Sequence, residues 1–153
     1  MPSAVLSPPV AEAAAGRPAP DVVAGVVERL SQRLGARITT NSVVCRQHGQ
    51  TTTWLETQAP DAVAYPSSAQ EVAFIVATCA AAGVPVVAYG TGTSLEGHVN
   101  APFGGISVDL SGMNRILAVR PDDLDCTVEP GVTRRQLNDY LRDQGLFFPI
   151  DPG

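Results

Sequence analysis

The sequence has little of what would tie a protein to nucleic acid, to a disulfide framework or to a membrane. Ten Lys and Arg residues stand against fifteen Asp and Glu residues, and the net charge over 153 residues is -5. This balance argues against a nucleic-acid partner. The three cysteines are far apart and form no C-x-x-C pair, which indicates reduced, mostly structural thiols in a cytoplasmic protein. No apolar run approaches the length of a membrane span, so we expect no transmembrane segment.

The first twenty residues lack a basic region followed by an apolar core, which argues against a signal peptide. They are rich in proline and alanine, and we interpret residues 1–20 as a disordered leader. Residues 21–60 are expected to form a helix and loop segment, and residues 61–153 a larger unit. We expect the protein to be cytoplasmic or peripheral to a membrane.

Helical and strand periodicity predicts an α+β arrangement built on a βαβ unit. Asp21 is expected to cap a first helix that ends at Gly35. A strand over residues 62–65 is followed by a capping box at Ser68 and Glu71, which starts a second helix. This second helix is expected to bury Val72, Ile75, Val76 and Cys79. A strand from residue 84 completes the unit, and its two strands should be parallel with a right-handed crossover.

The segment between these helices is harder to interpret. Residues 36–44 are compatible with a short strand, and residues 46–61 (RQHGQTTTWLETQAPD) have the polar character of a surface loop. A lone histidine in such a loop is usually solvated, so we expect His48 to be exposed.

The pattern of residues 106–145 predicts a strand, a hairpin and a helix. Residues 106–110 (ISVDL) form a strand, and residues 114–119 and 125–129 form an antiparallel hairpin around a Pro-containing turn. This hairpin is interpreted as the start of a second sheet. Thr133 and Gln136 cap a further helix that Gly145 closes. The final residues, LFFPIDPG, predict an apolar strand, and we interpret the chain as a truncated N-terminal piece.

A glycine-rich loop lies at the centre of the sequence. Residues 84–97, VPVVAYGTGTSLEG, pass from a buried strand into glycines at 90, 92 and 97 that are separated by hydroxyl side chains. Successive backbone amides in such a loop form an anion site without a basic side chain, and phosphate or pyrophosphate is the favoured anion. The third glycine comes too late for a dinucleotide fingerprint, and no Lys follows as a Walker loop requires. A tight structural connection is the alternative.

Several segments together resemble a known family. AYPSSAQEV (64–72), YGTGTSLEG (89–97), VDLSGMNRI (108–116) and the segment from Val128 to Gly153, with a weaker match at His48 and Gly49, occur in one order. Through them, residues 61–153 resemble an incomplete, N-terminal part of the FAD-binding domain of the vanillyl-alcohol oxidase/p-cresol methylhydroxylase type (the PCMH type). Within it, the chain is most similar to cytochrome-linked D-lactate dehydrogenases and their glycolate oxidase relatives. The resemblance implies a PCMH-type fold: a βαβ first subdomain and the start of a second, antiparallel-sheet subdomain.

The resemblance also implies which residues contact the cofactor FAD. The loop would hold the FAD pyrophosphate, and the end of the chain would begin a second flavin-contacting segment. The implied cofactor-binding residues are Tyr89, Gly90, Thr91, Gly92, Thr93, Ser94, Leu95, Glu96, Gly97, Pro149, Asp151, Pro152 and Gly153. His98 departs from the family pattern, in which a second glycine is frequent. We do not expect Glu96 and His98 to form an acid/base pair, because a general base must first have the right geometry.

The activity implied by the resemblance is the oxidation of a D-2-hydroxy acid, D-lactate first. Hydride would pass from C2 to the flavin N5, and the electrons would pass on to a cytochrome or quinone. No catalytic residue and no metal ligand of the family maps onto these 153 residues, so the chain alone is expected to be inactive and to hold FAD weakly. The alternative function is a non-catalytic nucleotide- or flavin-binding module or an interaction module.

Overall fold

A computed structural model describes residues 16–150, so most of the predicted leader and the residues Asp151, Pro152 and Gly153 lie outside the described range. Of residues 16–20, Arg17 forms an ion pair with Asp61. The helices are α1 (Pro20–Leu34), α2 (Ser42–Gly49), α3 (Ala69–Ala81) and α4 (Arg134–Leu141). The strands are β1 (Ile38–Thr39), β2 (Ala62–Ala64), β3 (Val86–Tyr89), β4 (Ile106–Asp109), β5 (Ile116–Arg120) and β6 (Asp125–Val128).

The larger sheet has the strand order β1-β2-β4-β3. Strand β4 pairs in parallel with β2 on one side and with β3 on the other, and β1 pairs antiparallel with β2. The two strands of the predicted βαβ unit are therefore parallel, as expected, but β4 lies between them. The sheet places the carboxyl ends of β2, β4 and β3 at one edge, where open α/β sheets bind ligands.

The main core lies between this sheet and the pair α1 and α3. In α1, Val26, Leu30 and Leu34 recur at helical spacing and are buried against the sheet. In α3, the buried positions are Ile75, Thr78 and Cys79. They share one helix face because residues three and four apart are neighbours on the surface of a helix.

The prediction for the core face of α3 is thus correct in part. Val76 is 45% exposed, because it follows Ile75 by one residue and points away from the sheet. Val72, also expected to be buried, is only partly buried, and Thr78 is buried although it was not predicted to be. Cys79 is fully buried, and burial raises the pKa of its thiol to about 11. That thiol therefore remains protonated at neutral pH, in agreement with a structural role.

The helix starts show one correction and one confirmation. Asp21 is not the cap of α1, because the helix begins at Pro20 and Asp21 lies in its first turn, where a carboxylate favours the helix dipole. Ser68 caps α3 and accepts a hydrogen bond from the Glu71 amide at 3.3 Å. The other half of the predicted capping box differs, because the Glu71 carboxylate accepts from the amide of Ser67, one residue before the cap, at 2.7 Å. It also accepts from both terminal nitrogens of Arg37 at 2.6 Å.

The expected surface loop over residues 46–61 is wrong in its first part. Residues 42–49 form α2, which begins after Asn41. The Asn41 side chain accepts hydrogen bonds from the amides of Val43 at 2.9 Å and Val44 at 3.3 Å. Asparagine is among the best N-caps, and this cap explains why a polar segment becomes helical.

The second sheet is the predicted hairpin of β5 and β6, which pair antiparallel around a turn at Pro121–Asp123. Helix α4 follows, and its cap Thr133 accepts a hydrogen bond from the Gln136 amide at 3.2 Å. The predicted apolar strand after Gly145 is wrong over residues 146–150, which form no strand. There, the Asn138 side chain binds the backbone of Phe148 and replaces the hydrogen bonds of a strand partner.

None of the helices within residues 16–150 combines the length and the apolar character that a membrane span requires.

The Arg37–Glu71 pair predicts a pH-dependent stability. The Arg37 guanidinium, and then the Ser67 amide, lower the pKa of Glu71 from 4.5 to about 2. Because the folded-state pKa is the lower one, the carboxylate stabilises the fold above pH 4.5 and loses this effect as the pH falls toward 2. We expect Glu71→Gln to lower the melting temperature by a few degrees near neutral pH. This difference from the wild type should shrink at about pH 3, as measured by circular dichroism.

Glu28→Gln is the matched control, because Glu28 is exposed on α1 and has the same side-chain chemistry. It should melt like the wild type at both pH values. An equal loss of melting temperature for Glu71→Gln at both pH values would contradict the prediction.

Candidate functional site

The candidate site lies at the carboxyl edge of the parallel strands. Tyr89 ends β3 and Asp109 ends β4, and these two residues face each other in the strand register. The Leu110 amide donates a hydrogen bond to the Tyr89 carbonyl at 2.9 Å, which continues the pairing beyond both strands. The glycine loop, residues 90–97, therefore leaves the sheet beside the chain that leaves β4.

The backbone of the glycine loop needs glycine at two positions. Gly92 has φ 72° and Gly97 has φ 73°, in the left-handed region. A Cβ at Gly92 would lie 2.6 Å from the Tyr89 hydroxyl, so the loop backbone packs directly on the phenol ring. At Gly90, in contrast, a Cβ would meet no protein atom within 4 Å. This position opens into free space at the start of the loop.

The loop offers hydroxyls and amides to a ligand. Thr91 and Thr93 share a hydrogen bond between their hydroxyls at 3.1 Å, and the Ser94 hydroxyl bonds Nδ1 of His98 at 2.8 Å. Within residues 16–150, the amides of Gly92, Ser94 and Leu95 donate no backbone–backbone hydrogen bond. Such amides in a glycine-rich turn fit the phosphates of a nucleotide, which bind without a basic side chain.

Two cavities border the loop. One, of about 540 Å³, lies between Gly90 and Thr91 on one side and the start of α4 on the other. Its far wall includes Ser111, Asn114 and Gly131. The other cavity, of about 520 Å³, is lined by residues 90–96 together with Ala88, His98 and Val99.

The far wall of the first cavity is held by close backbone contacts. Gly131 donates its amide to the Met113 carbonyl at 2.8 Å, and a Cβ at Gly131 would strike the Leu110 carbonyl. The Gln136 side chain donates to the Asn114 carbonyl at 2.7 Å, which joins α4 to the same wall. The hairpin and α4 are therefore packed onto the exit of β4.

The predicted cofactor contacts divide into two groups. The structure brings Tyr89 and residues 90–97 together as one continuous loop. Pro149 borders a third cavity beside β5, β6 and α4, and not either cavity at the loop. Asp151, Pro152 and Gly153 lie outside the described range, so the second flavin-contacting segment remains a prediction.

The position of His48 differs from the prediction, and this difference affects the site. The residue was expected to be solvated, but it is only 7% exposed and lies on α2 beneath the loop. Its Nε2 lies 2.9 Å from Oδ2 of Asp109, and its Nδ1 lies 2.9 Å from the Val44 carbonyl oxygen. The ring also packs on Tyr89, with 4.2 Å between ring centroids. The N-cap signal at Asn41 is the feature that could have predicted a helix, and with it a buried face.

The phenols beside His48 are not candidates for a base. Burial, and then the charge of Asp109, raise the pKa of Tyr89. Burial and the same carboxylate also raise the pKa of Tyr65. Both groups therefore stay protonated at neutral pH.

Other candidate groups can be placed as well. Glu96 and His98 are both exposed, and the only hydrogen bond described for the His98 ring is the one to Ser94. Among residues 16–150, no group of three or more His, Cys, Asp or Glu side chains is arranged to hold a metal ion. The site as described can hold an anion but carries no evident proton-transfer group.

Comparison with known proteins gives the site a context. A family profile described as an FAD binding domain matches residues 60–153. The chain is 43% identical over 116 residues to a probable mitochondrial D-lactate dehydrogenase of Danio rerio, covering 76% of this chain and 23% of that protein. It is 49% identical over 94 residues to a mitochondrial D-lactate dehydrogenase (cytochrome) of Arabidopsis thaliana, covering 61% of this chain and 17% of that protein. The chain thus spans about a fifth of the length of these relatives.

Solved structures support the fold. Over 84% of this chain and 26% of the other, p-cresol methylhydroxylase with substrate bound matches with a TM-score of 0.73 and 23% identity. A 4-ethylphenol oxidase from Gulosibacter chungangensis, with the same coverage and identity, has a TM-score of 0.75. At this identity the likeness shows the fold alone, and it confirms the predicted PCMH-type arrangement.

The close approach at Gly131 predicts a large stability effect from a single methyl group. We expect Gly131→Ala to destabilise the protein by about 1–3 kcal/mol, because the added Cβ overlaps backbone carbonyls that have little room to move. Urea denaturation of the purified variant measures the change.

Gly112→Ala is the matched control in the neighbouring turn, since a Cβ at Gly112 meets no atom within 4 Å. It should change stability by less than about 0.5 kcal/mol. Equal effects of the two substitutions would show that the described packing of Gly131 on this wall is wrong.

Proposed function

Since this chain belongs to the FAD binding domain family, we propose that its glycine loop binds the pyrophosphate of FAD at the carboxyl edge of the sheet. The family and the cofactor were both predicted and are confirmed. The proposal concerns the residues: Tyr89 and residues 90–97 as the pyrophosphate loop, and Pro149, Asp151, Pro152 and Gly153 as part of a second contact.

The observation that carries the proposal is the free space at Gly90 beside unpaired amides. The position has room for a ligand atom where any side chain would intrude, and the amides of Gly92, Ser94 and Leu95 are available as donors. The chain has a net charge of -5, and the dipoles of backbone amides can bind a phosphate without a basic side chain. The residues present therefore fit the cofactor.

We further propose that the full-length protein is a flavin-dependent oxidoreductase that oxidises a D-2-hydroxy acid, with D-lactate as the first candidate. When bound, FAD supplies the acceptor for hydride from C2, and a cytochrome or quinone would take the electrons onward. The names of the relatives support this class, since they include D-lactate dehydrogenases, a glycolate oxidase subunit and a D-2-hydroxyglutarate dehydrogenase. The role of the described residues is to bind and orient the cofactor.

The alternative function is a non-catalytic nucleotide- or flavin-binding module or an interaction module. The same loop would serve it, because the described residues offer amides and free space to a cofactor in either case. Location is likewise a proposal: cytoplasmic, or peripheral to a membrane, although two relatives are named as mitochondrial.

The loop assignment is tested by filling the free space at Gly90. We expect Gly90→Ala to fold and melt like the wild type, because its Cβ meets no protein atom within 4 Å, and Gly90→Val extends the side chain further into the same space. In the full-length protein, FAD affinity should fall in both variants and by at least about tenfold in Gly90→Val, measured by quenching of flavin fluorescence. Gly92→Val should also be colourless, but it strains a left-handed φ and strikes Tyr89, so it is the less selective variant.

Gly25→Ala on α1 is the matched control, because its Cβ also enters open space but far from the loop in the chain. It should bind FAD as the wild type does. If purified Gly90→Val retained one tightly bound flavin per protein, the loop would not be the pyrophosphate site.

The reaction class is tested by anaerobic reduction of the full-length holoprotein. D-lactate, and not L-lactate, should bleach the flavin absorbance at about 450 nm, a property of oxidised flavins. Glycolate and D-2-hydroxyglutarate are the next substrates to compare. A flavin that no 2-hydroxy acid bleaches, although dithionite does, would favour the non-catalytic module.

A further inference from the structure

We propose that His48 is a positioning residue for the FAD loop: it holds the ends of β3 and β4, from which both walls of the cofactor cavity start. This inference rests on the proposed function and extends it to a residue outside the loop. His48 belongs to α2 and does not line either cavity beside the loop.

The His48 ring is fixed at both nitrogens. Nδ1 faces the Val44 carbonyl oxygen, which can only accept, so Nδ1 carries a hydrogen. Nε2 lies 2.9 Å from Oδ2 of Asp109. Because Nδ1 already carries a hydrogen, a proton lies between Nε2 and Oδ2 whether the ring or the carboxyl group carries it. The ring orientation is therefore determined by α2 on one side and by the end of β4 on the other.

One face of this fixed ring supports Tyr89. The two ring centroids are 4.2 Å apart with an interplanar angle of 42°, and Tyr65 packs edge-on against His48 at 6.0 Å. Tyr89 in turn supports the loop, because its hydroxyl lies 2.6 Å from the position that a Cβ at residue 92 would take. His48, Tyr89 and Gly92 thus form a continuous stack from α2 to the loop backbone.

The other contact of His48 supports the opposite wall. While Oδ2 of Asp109 is bound to His48, Oδ1 accepts a hydrogen bond from the Ser111 amide at 2.8 Å. Ser111 borders the cavity across from Gly90 and Thr91. A single buried side chain therefore fixes the distance between the glycine loop and the segment that faces it.

The test separates the stack from general stability. His48→Gln retains a donor for Asp109 but removes the flat ring, so Tyr89 loses its support. In the full-length apoprotein, hydrogen exchange of the Leu110 amide, which donates to the Tyr89 carbonyl, should become faster in this variant. FAD affinity should fall by about three- to tenfold, the value of one aromatic pair. Ile75→Val is the control, since it weakens the core on the α1 and α3 face of the sheet and should change neither readout.

A double-mutant cycle with Tyr89→Leu shows whether His48 acts through Tyr89. If it does, His48→Gln should weaken FAD binding little further when residue 89 is already Leu. Additive effects, or unchanged exchange of the Leu110 amide in His48→Gln, would overturn the proposal. If His48→Gln fails to fold, Tyr89→Leu decides by itself, because unchanged Leu110 exchange in that variant would show that the Tyr89 ring does not hold the strand ends.

Failure of the proposed function would be recognised separately, as a wild-type protein that binds no FAD. In that case the exchange of the Leu110 amide by itself supports or overturns the positioning role of His48.

Discussion

The arrangement of the site depends on the insertion of β4 between β2 and β3. All four residues of β4 are buried, and the strand pairs in parallel on both sides. Because parallel strands end at the same edge, this pairing brings the exit of β3, with its glycine loop, beside the exit of β4. The cavity next to the loop lies between the segment that follows β3 and the segment that follows β4.

The two faces of β4 have different roles. Ile106 and Val108 join the apolar core of α1 and α3, whereas Asp109 meets His48 of α2. Side chains alternate between the two faces of a strand. Val108 therefore packs in the apolar core, and the next residue, Asp109, lies on the opposite face. The face toward α2 can thus carry a buried polar contact close to the carboxyl edge of the sheet without disturbing the larger core.

The proposed site would bind its ligand through the backbone, and this agrees with the charge of the chain. With a net charge of -5, a phosphate is best held by amides and hydroxyls aligned by the fold, and such groups work only if the loop is rigid. The structure supplies that rigidity from outside the loop, through Tyr89 below it and through the close packing of Gly131 opposite. The arginine pairs with Glu71 and Glu129 act elsewhere, at the connections between elements.

The sequence by itself determined the features that depend on neighbouring residues: the caps at Ser68 and Thr133, the hairpin around Pro121, and the glycine loop after a strand. These are local because a cap or a turn is decided within a few residues. The family resemblance added FAD and the PCMH-type fold. Tertiary structure alone decided the place of β4, the exposure of Val76 and the burial of His48. Each of these depends on partners far along the chain, and the partner of His48, Asp109, is 61 residues away.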